Sequence, residues 1–227
     1  NYTSHWSLKS SGDYRGDTAS SDKDVDDSTG GRLGEYGDDG AKAYFTDKLL
    51  VNGKKTELAY SVAKAEEKIM SLSDEKSFSL YVSIPFCPTR CNYCSFVSHS
   101  IAQAKKLLPD YVENLCREIR QTAQIANELG LRLESIYWGG GTPTTLSAQM
   151  LKKICAEINE SFDLSHIREY TIEAGRADTV TPEKLRVIKA AGVGRISINP
   201  QTFNDDVLNA IGRRHTVDDV VRVFSQA

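Results

Sequence analysis

Four strand–helix pairs follow one another along the chain, and this alternation limits its fold more than any other feature. Residues 79–85 alternate apolar and polar side chains like a strand, and residues 111–129 repeat apolar positions with a helical period. Further strands are predicted at residues 133–138, 169–174 and 195–199. Strands that alternate with helices form parallel sheets. We therefore predict an α/β fold with parallel strands, either of barrel type or doubly wound.

Capping residues mark where the later helices begin. Ser147 is placed to cap a helix over residues 147–162, and Thr181 followed by Pro182 begins a helix that stops at Gly192. Two short helices are predicted at residues 205–211 and 217–227. Four such units cannot close an eight-stranded barrel, so the sequence predicts an open partial barrel, or a fragment truncated after about four βα units.

Composition divides the chain into three predicted parts. Residues 1–40 are rich in Asp, Gly and Ser and show no period, so we expect an acidic, disordered leader. Residues 41–76 are expected to form a helical lead-in of two helices separated near Asn52-Gly53. Residues 77–227 carry the four strand–helix units and form the predicted core domain.

Charge and hydropathy exclude several classes of partner. The 28 Lys and Arg against 31 Asp and Glu give a net charge of −3, which offers no electrostatic case for binding nucleic acid. No apolar run reaches the roughly 20 residues of a transmembrane helix, and no signal-peptide pattern is present. We predict a cytoplasmic protein without a nucleic-acid or membrane partner.

Three of the five cysteines lie close together, on a loop directly after the first strand. Cys87, Cys91 and Cys94 form a C-x3-C-x2-C pattern, in which three thiolates can converge on one centre. Soft sulfur ligands favour zinc or an iron–sulfur cluster. Structural zinc takes four ligands, whereas Cys116 and Cys155 lie on apolar helical periods that favour the core for both. Three cysteines on a four-iron cluster would leave one iron free to bind another molecule.

Two further strand ends carry residues suited to a ligand. The segment Trp138-Gly-Gly-Gly-Thr-Pro-Thr144 follows the second strand, and consecutive glycines allow a ligand to approach the backbone amides. It matches neither a P-loop nor the G-x-G-x-x-G dinucleotide pattern. Glu173 ends the third strand, where its carboxylate can accept hydrogen bonds from an ammonium group or from ribose hydroxyls.

The cysteine spacing, with Tyr93 before the last cysteine, resembles the radical S-adenosylmethionine (SAM) superfamily. The resemblance implies a partial TIM-type barrel and a [4Fe–4S] cluster that binds Cys87, Cys91 and Cys94 through three irons and SAM through the fourth. The GGGTPT, EAGR and INPQT segments are similar to oxygen-independent coproporphyrinogen III oxidases, most of all to the HemZ-type coproporphyrinogen dehydrogenases. This similarity implies SAM contacts by Tyr81, Tyr93, Gly140, Gly141, Thr142, Glu173, Gln201 and Arg213. No catalytic residue is assigned beyond the cluster and SAM.

The same resemblance implies an activity in haem and porphyrin biosynthesis. A 5′-deoxyadenosyl radical would drive oxidative decarboxylation of coproporphyrinogen III propionates to give protoporphyrinogen IX, with a reduced flavodoxin- or ferredoxin-type protein as electron donor. Phe96 stands where the best-characterised oxidases carry a further cysteine, and a Phe there also occurs in related haem chaperones. A haem chaperone that keeps the cluster is therefore the alternative. A zinc-binding interaction module is a third hypothesis.

Two histidines lie near these segments. His99 follows the cysteine loop, and we expect it to be a loop residue without a special role. His215 follows two arginines, which favours a surface position.

Overall fold

The computed structural model describes residues 40–96 and 99–227. The predicted acidic leader, apart from Gly40, lies outside the described residues. The chain divides into two compact units, Asn1–Glu75 and Lys76–Ala227.

In the first unit, the described residues contain two helical stretches separated near Asn52, as the sequence predicts. Helix α1 spans Gly53–Met70, and the side chain of Asn52 caps it by accepting a hydrogen bond from the Lys54 amide. The stretch before it is also helical, because residues 40–43 are α-helical and continue into a π-helical turn, Tyr44–Lys48. Leu50 has a φ of +53°, a left-handed conformation through which a right-handed helix cannot continue.

The second unit holds the strands and the remaining helices. In the described residues the strands are β1 (Ser77–Ile84), β2 (Phe86–Cys87), β3 (His99–Ser100), β4 (Arg132–Gly140), β5 (Glu169–Glu173) and β6 (Arg195–Ser197). The helices are α2 (Ile101–Ala104), α3 (Leu108–Glu128), α4 (Ala148–Ser161), α5 (Pro182–Ala190), α6 (Asp205–Ala210) and α7 (Val217–Gln226). Short 3₁₀ turns lie at Lys105–Leu107, Pro143–Thr145 and Ala177–Thr179.

Strands β1, β4, β5 and β6 form one parallel sheet in that spatial order. Each strand is followed by a helix before the next strand begins, so the predicted α/β arrangement of a partial barrel is confirmed. Strands β2 and β3, which the sequence did not reveal, form a separate two-residue parallel pair.

One face of the sheet builds the core. Val82, Ile84, Ile136 and Trp138 are almost completely buried, and they pack in one cluster with apolar side chains of α3 and α4. Burying each such side chain contributes about 1.5–3 kcal/mol. The predicted positions of Cys116 and Cys155 in the core are confirmed, since both are buried in this cluster.

The opposite face of the sheet is polar, because side chains alternate along a strand. Tyr81 of β1, Tyr137 of β4 and Glu173 of β5 lie on this face. Since all four strands are parallel, their carboxyl ends meet along one edge. The cysteine loop, the glycine-rich segment and the segment after Glu173 all begin there.

The predicted helix caps are confirmed. Ser147 accepts a hydrogen bond from the Met150 amide at the start of α4, and Thr181 accepts one from Lys184 at the start of α5. No helix in the part of the chain that the structure describes is long and apolar enough to cross a membrane.

Candidate functional site

The cysteine loop lies directly after the carboxyl end of β1. Cys87 ends β2, and Cys91 and Cys94 follow in a turn in which the Cys94 amide donates to the Cys91 carbonyl over 3.1 Å. All three thiols are free and partly accessible, in contrast to the two buried core cysteines. Three soft ligands with some solvent access therefore share one loop, as a site loaded from solution requires.

The glycine-rich segment after β4 packs directly against this loop. The Gly141 amide donates to the Ile84 carbonyl over 2.8 Å, and the Thr142 amide donates to the Phe86 carbonyl over 2.9 Å. Thr142 is buried, and its Oγ1 lies 3.4 Å from Cys87 Sγ. These contacts fix the first cysteine against the end of the neighbouring strand.

Steric contacts explain why two of the three consecutive glycines are needed. Gly140 has a φ of +98°, a conformation that favours glycine. A Cβ on Gly141 would lie 2.8 Å from the Phe86 carbonyl oxygen and 3.0 Å from Cys87 Sγ. A side chain at either position would push the loop away from the cysteine segment.

The segment after α6 supports the cysteine loop from another side. Thr89 Oγ1 donates to the Gly212 carbonyl over 2.9 Å, and the Asn92 amide donates to the Ile211 carbonyl over 3.1 Å. The next residue, Arg213, is buried and donates to the Gly175 carbonyl at 2.7 Å and to the Tyr93 hydroxyl at 3.2 Å. Residues more than a hundred positions apart therefore hold one loop in place.

Arg176 is a site residue to which sequence reasoning gave no role. Its side chain is only 3% exposed, and its Nη1 donates to Cys91 Sγ and to the Thr89 carbonyl, each over 3.2 Å. Its Nη2 donates to the Thr89 hydroxyl. The available signal was an arginine between small residues directly after a strand end of a parallel sheet, within the EAGR segment.

A row of two tyrosines and a carboxylate crosses the polar face beside the glycines. The rings of Tyr81 and Tyr137 stack with 6.0 Å between centroids, and the Tyr137 hydroxyl donates to Glu173 over 2.7 Å. This hydrogen bond, together with burial, raises the pKa of Tyr137 to about 12. Burial and the charge of Glu173 also raise the pKa of Tyr81. Both phenols stay neutral at physiological pH, so Glu173 is left as the acceptor for a cationic ligand.

Gln201 lies after the last strand, at the same edge. It has a φ of +64°, and its amide donates to the Asn199 side chain over 3.1 Å. Such a left-handed conformation is uncommon for a residue other than glycine. Its side chain is exposed, and its predicted contact with SAM stays a prediction.

The expected surface position of His215 is wrong. Its side chain is fully buried, its Nε2 lies 3.4 Å from the Pro200 carbonyl oxygen, and its Nδ1 lies 3.8 Å from Asp178. Burial lowers the pKa of His215, so the ring is neutral. The sequence concealed this because the two preceding arginines indicate a surface, whereas Arg213 itself is buried. His99, expected in a loop, lies in the short strand β3 and is exposed.

Comparison with known proteins identifies this arrangement. Residues 81–227 match the radical SAM superfamily. The chain belongs to the radical SAM superfamily. It is 35% identical over 198 residues to the oxygen-independent coproporphyrinogen-III oxidase-like protein HemZ of Bacillus subtilis, covering 78% of this chain and 40% of the relative. It is 41% identical over 153 residues to the heme chaperone HemW of the same organism, covering 66% of this chain and 38% of the relative.

A solved structure gives the same answer for the fold. Coproporphyrinogen III oxidase (HemN) from Escherichia coli, described as a radical SAM enzyme, superposes with a TM-score of 0.60 at 28% identity. The match covers 67% of this chain and 34% of that one. The chain thus spans about two fifths of the length of the curated relatives.

Membership of the radical SAM superfamily implies a [4Fe–4S] cluster and SAM as cofactors. The donor set fits the cluster, because three accessible thiols share one loop beside two buried guanidinium groups, of Arg176 and Arg213, that suit an anionic group. Nε of each arginine has no hydrogen-bond partner among the described residues. In those residues no three His, Cys, Asp or Glu side chains converge on a single metal ion. A four-iron cluster needs less convergence, because each cysteine binds a different iron.

Proposed function

We propose that this protein is a radical SAM enzyme of the coproporphyrinogen dehydrogenase type, acting on a tetrapyrrole. In this reaction each of two propionate side chains of coproporphyrinogen III loses a hydrogen atom to the 5′-deoxyadenosyl radical and then carbon dioxide and one electron, which pass to solution and to an electron acceptor. The two vinyl groups of protoporphyrinogen IX result. A reduced flavodoxin- or ferredoxin-type protein is the proposed electron donor, and the cytoplasm the proposed location. The observation that carries the proposal is the contact of the cysteine loop with the glycine-rich segment at the carboxyl edge of the sheet.

The proposed cofactor roles follow from this edge. When bound and reduced, the cluster and SAM supply a 5′-deoxyadenosyl radical. Cys87, Cys91 and Cys94 are proposed to hold three irons. The backbone of Gly140 and Gly141 with Thr142 gives SAM a close-fitting wall, because no side chain stands between a ligand and these amides.

Charged and aromatic groups are proposed to orient SAM. Glu173, whose carboxylate already accepts from Tyr137, can accept hydrogen bonds from the SAM ammonium or ribose. The Arg213 guanidinium is placed to attract the SAM carboxylate. Tyr93 and Tyr81, both more than half exposed, offer ring faces on which an adenine can stack.

The length of the similarity favours the oxidase over the chaperone. Similarity to the HemZ-like protein extends over 198 residues, whereas similarity to HemW of the same organism stops at 153. The EAGR and INPQT segments support the same choice. These features lie in this chain, but the substrate is a property of the whole protein and is proposed as such.

A specific observation also favours the chaperone. Phe96, two residues after the last cysteine of the loop, is 70% exposed beside the proposed cluster. An exposed aromatic ring is a suitable contact for a flat, apolar macrocycle such as haem. Haem binding without turnover is therefore the second candidate function.

The decisive experiment begins with anaerobic reconstitution of the purified protein with iron and sulfide. Dithionite and SAM are then added, and 5′-deoxyadenosine is measured with and without coproporphyrinogen III. We expect about four irons per chain, release of 5′-deoxyadenosine, and faster release with formation of protoporphyrinogen when the substrate is present. Haem titration of the same sample measures the alternative.

The possible outcomes separate the two functions. Turnover of coproporphyrinogen supports the oxidase. Stoichiometric haem binding with no effect of coproporphyrinogen on SAM cleavage would favour the chaperone.

A further inference from the structure

We propose that Arg176 is a positioning residue that sets the reduction potential of the cluster through its hydrogen bond to Cys91. The inference rests on the proposed attachment of the cluster to Cys91, and it does not depend on the identity of the substrate. The unusual feature is the burial of a charged group, because the Arg176 guanidinium is almost fully buried next to Cys91, a proposed cluster ligand.

A buried guanidinium needs an anionic partner, because an unpaired buried charge is costly. The nearest carboxylate is Asp178, and its Oδ1 lies 3.6 Å from Nε of Arg176. That distance is too long for a hydrogen bond, and Nε has no such partner among the described residues. The sulfur of Cys91 lies closer, 3.2 Å from Nη1 of Arg176, and it carries a negative charge as a thiolate when it binds iron.

The geometry also fixes the cysteine loop. A guanidinium is a rigid, planar fork of donors. One arm of Arg176 reaches Cys91 Sγ and the Thr89 carbonyl, and the other reaches the Thr89 hydroxyl. Thr89 is in turn bonded to Gly212, so the arginine is part of a rigid frame. The donor is therefore held pointing at the sulfur.

The sign of the effect follows from charge. Reduction adds one electron, and the extra negative charge is stabilised by a nearby cation and by an N–H donor to a ligand sulfur. Arg176 is thus expected to raise the reduction potential and to make the cluster easier to reduce. Removing it makes the reduced form less favourable.

The test is a redox titration of the reconstituted protein, followed by EPR of the reduced cluster. Arg176→Met has similar length without charge or donor, and Arg176→Lys keeps the charge but loses the fork. We expect the methionine variant to shift the reduction equilibrium at least tenfold, a fall in potential of about 59 mV, with the lysine variant in between. Arg120→Met is the matched control, because Arg120 is half exposed on α3 and pairs with Glu157. The reduction potential of the cluster should be unchanged in this control variant.

A methionine variant with full iron content and an unchanged potential would overturn the inference. Iron content distinguishes this outcome from a failure of the cluster assignment, which would leave the wild-type protein without iron. If only the methionine variant fails to load iron, the role of Arg176 is tested instead by pulsed EPR of the wild-type protein and the lysine variant. Reduced protein carrying ¹⁵N-labelled arginine should show a nitrogen coupling that is lost in Arg176→Lys. A coupling that is absent, or that persists in this variant, contradicts the role of Arg176.

Discussion

The two edges of the parallel sheet use the same kinds of side chain in opposite ways. At the amino edge, the buried carboxylate of Glu134 accepts hydrogen bonds from Arg132, Arg168 and Ser77. At the carboxyl edge, two buried arginines have contacts with sulfur, hydroxyl and carbonyl groups but no closely bonded carboxylate. At the amino edge the charge of Glu134 is compensated by arginines of the same protein. At the carboxyl edge the two arginines have no hydrogen-bonded carboxylate.

This difference between the two edges indicates that one edge mainly stabilises the fold and the other mainly binds cofactors. A carboxylate surrounded by its own cations stabilises the fold and has little capacity left for a ligand. The two arginines at the carboxyl edge donate their hydrogen bonds to neutral acceptors and a thiol, and the carboxylate of Asp178 lies 3.6 Å from Arg176 Nε. They therefore keep electrostatic attraction for a further anion. The amino edge should therefore control the free energy of unfolding, and the carboxyl edge should control the binding of cofactors. Four substitutions test this separation.

The largest expected effect is that of Cys91→Ser at the carboxyl edge. We expect complete loss of the cluster and of SAM cleavage, because serine is a poor ligand for iron and also loses the contact with Arg176. Iron and sulfide analysis measures the loss. Cys116→Ser, in the core and away from the loop, is the control and should keep its iron. A fully assembled cluster in Cys91→Ser would remove this cysteine from the ligand set.

Next in size is Gly141→Ala. Its Cβ would meet the Phe86 and Ile84 carbonyl oxygens at 2.8 and 3.0 Å, so the loop must shift. Overpacking of this kind costs about 1–3 kcal/mol, and we expect SAM affinity to fall by up to about a hundredfold. Equilibrium binding to the reconstituted protein measures the change. Gly194→Ala, which has nothing within 4 Å of its Cβ position, should bind SAM normally. Equal affinities in the two variants would contradict the close approach.

At the amino edge, Glu134→Gln should lower the free energy of unfolding. Removing the charge abolishes the ion pairs of Glu134 with Arg132 and Arg168, which are both about one third exposed. We expect a loss of about 2 kcal/mol, below the range for fully buried pairs. Urea denaturation measures it. SAM affinity of the folded protein should be unchanged, and a tenfold weaker affinity would mean that the two edges are coupled.

The smallest expected effect is a pH dependence from His215. Burial lowers the pKa of this ring, Arg213 and Arg176 lower it further, and Asp178 opposes them. Below pH 6.5, the ordinary His value, the unfolded chain binds more protons than the folded protein, so stability falls as the pH falls towards the folded pKa. We expect His215→Gln to lose this part of the acid sensitivity.

Thermal melting between pH 5 and 8 checks this prediction. His166→Gln is the control, because His166 is exposed, whereas His215 is buried. The wild-type slope below pH 6.5 should persist in the control and be reduced in His215→Gln. Identical slopes in all three proteins would show that the buried ring does not titrate on unfolding.

Local patterns predicted most of the second unit. Caps such as Ser147 and Thr181 depend only on residues three positions away, and the sequence shows both partners. The cysteine spacing and the glycine-rich segment were also readable, because each lies within a few residues. The parallel pairing of the strands followed from the alternation of strands and helices, since parallel neighbours require a crossover connection.

Contacts between distant segments could not be read in the same way. Arg176 and Cys91 are 85 positions apart, and a charged residue after a strand is usually solvated. The burial of His215 depends on Pro200 and Asp178, which only the folded chain brings together. Strands β2 and β3 are two residues each, too short to show any period.

The small β2–β3 pair has a consequence for the lifetime of the site. It joins Phe86 to His99 and Cys87 to Ser100, and the His99 amide donates to the Pro85 carbonyl over 2.8 Å. Backbone hydrogen bonds thus close the cysteine segment at its base, and much of its loop-closure entropy is lost on folding. Oxidative loss of the cluster should then leave the sheet folded, so that a damaged centre can be rebuilt in place instead of requiring a new protein.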